Sequence, residues 1–262
     1  MRPLHRSAGD LLVETQGGVA SVIMNRPDRL NAMTPELQKN LLATLAELDR
    51  SEHVRAIVLT GAGGGFCSGA DRDVLDRVHE LVGTDELQAQ PPILHTPLIA
   101  AVNGPAIGIG FSIMLLADVI YVARDAKIAS SFSRLGLVAE WGAAWTLQRR
   151  VGYGAAADIL LSGRSVAPAE ALRLGLAQRV LPADELLPAA KAWAADIATN
   201  TSPYSAANIK RQLGAAATQS FGDAFELSLA LEEAALMRPD LAEAIRARAE
   251  RRSPKFPPHR RC

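Results

Sequence analysis

The stretch PLIAAVNGPAIGIGFSIMLLADVIYVA, residues 97–123, decides the fold. Pro97 to Val102 is short, uncharged and β-prone, which reads as a buried strand. Asn103-Gly104-Pro105 forces a turn. Gly108-Ile109-Gly110 then opens the apolar run Phe111 to Ala117, long enough for about two helical turns. Asp118 ends that run, and Val119 to Ala123 reads as a second strand. A helix that starts on glycines inside a core presents free backbone N–H groups and the positive end of its dipole. With no side chain at Gly108 or Gly110, an anion or a polarised oxygen can approach. Two readings stand here: half of an oxyanion hole, or a buried helix whose glycines only permit close packing.

Upstream, the β-run Val54 to Thr60 enters the glycine-rich GAGGGFCSGAD at 61–71. Gly63 to Gly65 permit a sharp path after a strand, and Ser68-Gly69-Ala70-Asp71 would leave N–H groups free at the next bend. The segment is not G-x-G-x-x-G, because Phe66 and Ser68 interrupt it, and the chain contains no Gly-Lys pair for a phosphate loop. The alternative is an ordinary flexible loop. Asp71 is either a ligand contact, a cap of the following helix, or a partner for a neighbour such as Arg72. Cys67 and Ser68 are nucleophiles in principle, but G-x-S-x-G is absent and no histidine is placed to activate them. Histidines 5, 53, 79, 95 and 259 are scattered without H-E-x-x-H, so no metal site is expected. His95 reads as a core or surface residue.

The remaining chain alternates strands and helices and then turns helical. Leu11 to Glu14 and Val19 to Met24 flank Gly17-Gly18 as a hairpin. Thr34-Pro35-Glu36 starts a helix, with Leu37, Leu41, Leu45 and Leu48 at helical spacing. Residues 72–96 mix charges and prolines, reading as a mobile or variable segment and a candidate cover for a site. Lys127 to Ser131 reads as extended. Helices are expected over 143–150, 154–162 and 168–174, a short strand at Val180-Leu181, and helices over 184–198, 203–213, 221–237 and 240–251. Alternating elements followed by a helical appendage indicate an α/β fold.

Composition narrows the function. The 262 residues, 48% hydrophobic, can bury a sizeable core. Formal charge is zero, from 28 basic and 28 acidic residues, which gives no support to nucleic acid or an anionic membrane surface as partner. Cys67 and Cys262 make no disulfide framework, and a reducing, cytoplasmic location is the simplest expectation. The N-terminus MRPLHRSAGD lacks an apolar stretch of signal-peptide length. The longest uncharged stretch, Leu87 to Ala117, is interrupted by Pro91-Pro92, Pro97 and Asn103-Gly104-Pro105, so no spanning helix is expected.

Glu140 is the carboxylate of most interest. In LGLVAEWG, residues 135–142, it sits beside Val138 and Trp141, where partial desolvation would raise its pKa toward a useful base. The other reading is an exposed glutamate before a helix.

Taken together, residues 19–181 resemble the crotonase, or enoyl-CoA hydratase/isomerase, superfamily. The matching stretches are NRPDRLNAM at 25–33, GAGGGFCSGAD at 61–71, AAVNGPAIGIG at 100–110 and LADVIYVARDAKI at 116–128. LGLVAEWG at 135–142 and LLSGRSVAPAEALRLGLAQRV at 160–180 complete the set. The resemblance implies a spiral of ββα units over residues 1–198 and a C-terminal helical region, 199–262, that mediates a homotrimer or a dimer of trimers. It also implies acyl-CoA substrates, with coenzyme A entering as part of the substrate and no separate cofactor. The thioester carbonyl would be polarised by the main-chain amides that map to Ala70 and Ile109, flanked by Ser68, Gly69, Gly108, Gly110 and Trp141. Arg29 and Asp71 map to the adenine path, and Lys255 and Phe256 to a tail that reaches a bound or neighbouring nucleotide in relatives.

The departure concerns acid and base. The two glutamates of family hydratases map to Ser112 and to about Phe132, and neither is a carboxylate here. Glu140 instead matches the carboxylate that enoyl-CoA isomerases of the family carry in G-L-[IV]-x-[ED]-G. The resemblance thus implies double-bond isomerisation with Glu140 as proton carrier. The alternatives are a hydratase with a rearranged site, drawing a second carboxylate from Asp73 or Asp76, and a catalytically silent acyl-CoA-binding protein.

Overall fold

The computed structural model describes residues 4–84 and 89–259. A seven-stranded sheet runs in the order β1-β2-β3-β4-β5-β7-β10. Its strands are β1 (Leu4–Ala8), β2 (Leu11–Gln16), β3 (Val19–Met24), β4 (Ala56–Gly61), β5 (Leu98–Val102), β7 (Val119–Ala123) and β10 (Arg179–Leu181). From β3 onward all neighbours are parallel. Every residue of β4 and β5 is buried, as the unbroken apolar runs require of strands covered on both faces.

A second, much smaller ladder lies beside it. β6 (Ala106–Ile107), β8 (Ile128–Ala129) and β9 (Ser165–Val166) form a three-stranded sheet, extended by single parallel bridges Met33–Ala70 and Cys67–Ala106. Successive turns of chain contribute one long strand to the large sheet and a one- or two-residue station to the small one. That is the spiral implied by the family resemblance, and the site grows from its stations.

Helices close the layers. Thr34 Oγ1 accepts from Leu37 N at 3.2 Å and starts α1 (Pro35–Arg50), whose Leu37, Leu41 and Leu45 are buried. Short α2 spans Arg72–Leu75 and α3 spans Ile109–Leu115. Next come α4 (Ala143–Val151), α5 (Tyr153–Ser162) and α6 (Pro168–Arg173). α7 (Ala183–Asn200) lies across β4, β5 and β7. It buries Leu186, Ala190, Ala194 and Ala198, a stripe spaced every four residues. α8 (Pro203–Ala215), α9 (Phe221–Leu236) and α10 (Pro239–Ala249) follow. No helix among the described residues is long and apolar enough to cross a membrane.

Two carboxylates fix the entry to β5. Asp49 accepts from the backbone amides of His95 (2.9 Å) and Thr96 (2.7 Å) and from Thr96 Oγ1 (2.7 Å). Burial alone would raise its carboxyl, but these bonds from Thr96 and His95 hold it below the ordinary value. Asp118 accepts from Leu98 N and Lys210 Nζ, both at 2.7 Å, and Lys210 also reaches Thr96 O at 2.9 Å. Lys210 thereby ties α8 to the sheet.

The sequence reading needs amendment at several points. β1 adds an unforeseen edge strand, and β9 a short one. The segment 72–96 opens with α2 and a 3₁₀ turn at Val78–Leu81, while 85–88 lie outside the described residues, as do Met1 to Pro3 and Cys262. The glycine loop 61–66 is clamped rather than flexible. Asn31 donates to Ala62 O (2.9 Å) and Gly65 O (2.7 Å), and Asn103 donates to Gly61 O and Gly63 O, both at 2.9 Å. A Cβ on Gly104 would lie 2.0 Å from Gly64 O, so glycine there serves close backbone approach.

Candidate active site

The first half of the site is the bend after β4. Ser68 N donates to Leu30 O at 3.1 Å. Met33 then bonds both neighbours of Ala70: Met33 N donates to Gly69 O, and Asp71 N donates to Met33 O, each at 2.8 Å. In such a parallel bridge the bracketed residue turns its own N–H the other way. Gly69 has φ +114°, a conformation L side chains rarely adopt, and the bridge leaves the Ala70 N–H pointing away from Met33.

The second half is the start of α3. Ile107 N donates to Cys67 O (3.0 Å) and Gly108 N to Ala129 O (3.1 Å). The carbonyl four residues before Ile109, that of Pro105, is already taken by Phe66 N and Cys67 N. Among the described residues, the amides of Ala70 and Ile109 have no protein acceptor. Gly108 holds φ 55°, ψ −120°, again a glycine geometry. A Cβ on Gly110 would lie 2.1 Å from Cys67 O, whereas one on Gly108 would meet Gly69 Cα at an ordinary 3.9 Å, so at Gly108 it is the backbone angle that calls for glycine. At Gly110 the two glycine segments are therefore packed backbone to backbone, as the close-packing reading of this helix start expects.

Both amide-bearing residues line one cavity of about 240 Å³. Glu140 lines it too, and is its single ionisable side chain among the described residues. Glu140 is an exposed residue in the turn just before α4, as one of its two sequence readings has it, yet it also lines the cavity, and desolvation of its carboxyl by the surrounding protein raises its pKa to about 7. Its charge also adds, after burial, to the rise of the neighbouring Cys67 thiol to about 12, which leaves that thiol inert. The turn that carries Glu140 is strained: Trp141 sits at φ 50° and Gly142 at φ 68°. A bulky residue held in the left-handed region costs about 1–3 kcal/mol.

The structure thus brings Ser68, Gly69, Ala70, Gly108, Ile109 and Glu140 together on one cavity. Gly110 and Trp141 support it from behind, Gly110 against Cys67 and Trp141 against the core. Asp71 points elsewhere. It is buried, caps α2 by accepting from Asp73 N (3.2 Å), and pairs with Arg26 Nη1 (2.8 Å) rather than with Arg72. That bond from Arg26 holds its carboxyl below the usual value. Arg29 is exposed, its carbonyl accepting from Ser68 Oγ at 3.3 Å. Phe256 is buried away from the cavity, with its carbonyl held by Arg55 Nη2 at 2.8 Å, and Lys255 N is bound to Glu243. Asp73 and Asp76 are exposed and do not line the cavity, whereas Val74 and Leu75 between them do. Residue 132, where hydratases carry a glutamate, presents a buried Phe to the cavity. Sequence reasoning overlooked Thr34 and Gln38 as lining residues; the helix start at Thr34-Pro35 was the available signal.

Known proteins agree with this architecture. The family model for Enoyl-CoA hydratase/isomerase matches residues 14–259. The chain is 35% identical to "Probable enoyl-CoA hydratase echA12" of Mycobacterium bovis over 255 residues, covering 91% of this chain and 89% of that one. It is 30% identical to the 1,2-epoxyphenylacetyl-CoA isomerase of Escherichia coli over 258 residues, 94% of this chain and 97% of that one. A crystal structure of a probable enoyl-CoA hydratase/isomerase from Mycobacterium abscessus superposes with a TM-score of 0.87 at 36% identity, covering 98% and 100% of the two chains. With a spiral of paired stations, two outward amides and one crowded glutamate on a shared cavity, the chain belongs to the enoyl-CoA hydratase/isomerase family and is a crotonase-fold enzyme.

Proposed function

We propose that the protein is an enoyl-CoA isomerase that moves a double bond with Glu140 as its proton carrier. The observation that carries this reading is the make-up of the cavity: among the described residues, the Ala70 and Ile109 amides without protein acceptors share it with Glu140 as the single ionisable side chain. The thioester oxygen of a 3-enoyl-CoA accepts from the Ala70 and Ile109 amides, which act as an oxyanion hole. Each donor aimed at the developing charge is worth about 3 kcal/mol of barrier. The Glu140 carboxylate takes a proton from C2, the electron pair delocalises into the thioester as a dienolate, and the protonated Glu140 returns the proton at C4. The product is the conjugated 2-enoyl-CoA. A pKa of about 7 suits both halves, since the group must accept and donate near neutrality.

Hydration needs a second group to orient and deprotonate water. Ser112 Oγ is committed to the Glu140 carbonyl, and Phe132 is apolar. Among the described residues the cavity therefore holds one carboxylate rather than two, although several relatives bear hydratase names. The test is to compare turnover of a 3-enoyl-CoA with hydration of a 2-enoyl-CoA by the same preparation. Faster isomerisation supports the reading. Faster hydration refutes it, and binding of either ester without turnover would make the protein a silent acyl-CoA binder. We infer that the apolar residues left exposed in the C-terminal region, among them Phe221, Phe225, Leu236, Met237 and Ile245, seat further copies of this chain, in the homotrimer or dimer of trimers that the family resemblance implies. Sedimentation equilibrium tests it.

A further inference from the structure

Glu140 sits on a segment with few attachments. Ser133 to Val138 are exposed, held by a 3₁₀ turn whose bonds end with Leu137 N to Phe132 O and by Arg134 Nε donating to Ser162 O at 2.9 Å. From Val138 to Trp141, the main-chain hydrogen bonds among the described residues converge on one atom, the carbonyl oxygen of Glu140. It accepts from Ala143 N at 2.9 Å, which is local to the same turn, and from Ser112 Oγ at 3.2 Å. Of these two bonds the second is the one that reaches the core, where Ala139 and Trp141 on either side of Glu140 also pack.

We infer that Ser112 is a positioning residue: its buried hydroxyl fixes the Glu140 main chain to the helix whose first amide, Ile109, faces the same cavity. Ser112 is 1% exposed and lies one turn after Ile109 on α3, with its own amide bonded to Gly108 O at 3.1 Å. The hydroxyl thus sets the spacing between the proton carrier and one of the two oxyanion donors. It also holds the carbonyl immediately before Trp141, whose φ of 50° a free turn would relax. Without the hydroxyl, the Glu140 carbonyl keeps Ala143 N and is not left unsatisfied, so the fold survives while the carboxyl loses its registration. The role belongs to isomerisation by Glu140 and rests on that reading.

The experiment measures steady-state isomerisation of a 3-enoyl-CoA by wild type, Ser112→Ala, Ser112→Thr and Glu140→Gln, with thermal unfolding of each. A misplacement near 1 Å costs about 10²-fold in rate. Ser112→Ala is expected to lose that in kcat with KM nearly unchanged, and Ser112→Thr, which keeps the hydroxyl, to recover most of it. A pure packing role would not give that split or that rescue. If Glu140→Gln is inactive while Ser112→Ala turns over like wild type, this inference fails and the isomerase reading stands. Loss of kcat in Ser112→Ala with no recovery in Ser112→Thr also overturns it, by assigning the loss to packing. If Glu140→Gln keeps wild-type turnover, the isomerase reading fails and this inference with it.

Discussion

Replacing Gly110 with alanine should damage catalysis without adding any group to the cavity. The new Cβ would lie 2.1 Å from the Cys67 carbonyl oxygen and 2.9 Å from its carbonyl carbon. An ordinary carbon–oxygen contact is about 3.3 Å or more, so the shortfall is about 1 Å. Neither partner can move alone: one is the main chain of the 66–71 loop, the other the first turn of α3. The separation must therefore fall on the Ala70 and Ile109 amides, which lie three residues from Cys67 and next to Gly110. If one donor leaves the position of the developing oxyanion, kcat drops by about 10²–10³-fold, or about 3–4 kcal/mol of barrier. Overpacking also costs stability, about 1–3 kcal/mol. The assay is kcat on a 3-enoyl-CoA together with urea unfolding on the same sample. Gly154→Ala on α5, where a Cβ meets nothing within 4 Å, serves as control. A folded Gly110→Ala enzyme within about threefold of wild-type kcat would refute the reasoning, because the two segments would then be free to move without disturbing the amides.

Other predictions follow from buried polar groups. Asn31→Ala removes two donated bonds, to Ala62 O and Gly65 O, and one accepted from Arg26 N at 2.7 Å, at a position with φ 56° that asparagine tolerates better than alanine. Chemical denaturation should show a loss of about 2–4 kcal/mol. Asp71→Asn weakens the bond to Arg26 and should cost about 1–3 kcal/mol near neutrality. Because Asp71 has its folded pKa lowered, that contribution is present above the unfolded value and fades as pH falls through the folded one. The gap between wild type and Asp71→Asn should therefore close in acid. Glu140 has the opposite sign: its folded pKa, about 7, lies above the ordinary 4.5, so ionising it with rising pH disfavours the folded state. Glu140→Gln should melt higher than wild type at pH 8 and close to it at pH 4.5. The wild-type kcat/KM should fall on the acid side with a midpoint near 7, as the base becomes protonated.

The strands near 19–24, 54–60, 97–102 and 119–123 and the helix start at Thr34-Pro35 were legible because apolar runs and caps are local signals, whereas Ala70 and Ile109 came from the family resemblance. Glu140 was legible through its motif and its apolar neighbours. What escaped depends on distance along the chain. Arg26 as the partner of Asp71 lies 45 residues away, and Arg72 was the obvious local candidate. Ser112 sits in an apolar helix, and nothing nearby says that its hydroxyl meets a carbonyl 28 residues later. β1 was missed because Leu4-His5-Arg6-Ser7-Ala8 has no apolar alternation; its register comes entirely from pairing with β2, Leu4 opposite Thr15. Clamping of the glycine loop likewise requires Asn31 and Asn103 to arrive from separate turns of the spiral.

The most direct test of Glu140 as proton carrier is C2–H exchange and isomerisation of a 3-enoyl-CoA in deuterated water, followed by NMR for wild type and Glu140→Gln, with ester affinity measured alongside. General acid–base groups contribute about 10²–10⁴-fold. The account predicts that both exchange and isomerisation fall together by that factor in Glu140→Gln while affinity holds, since no other ionisable side chain among the described residues lines the cavity. Exchange and isomerisation persisting at wild-type rates in Glu140→Gln would contradict it.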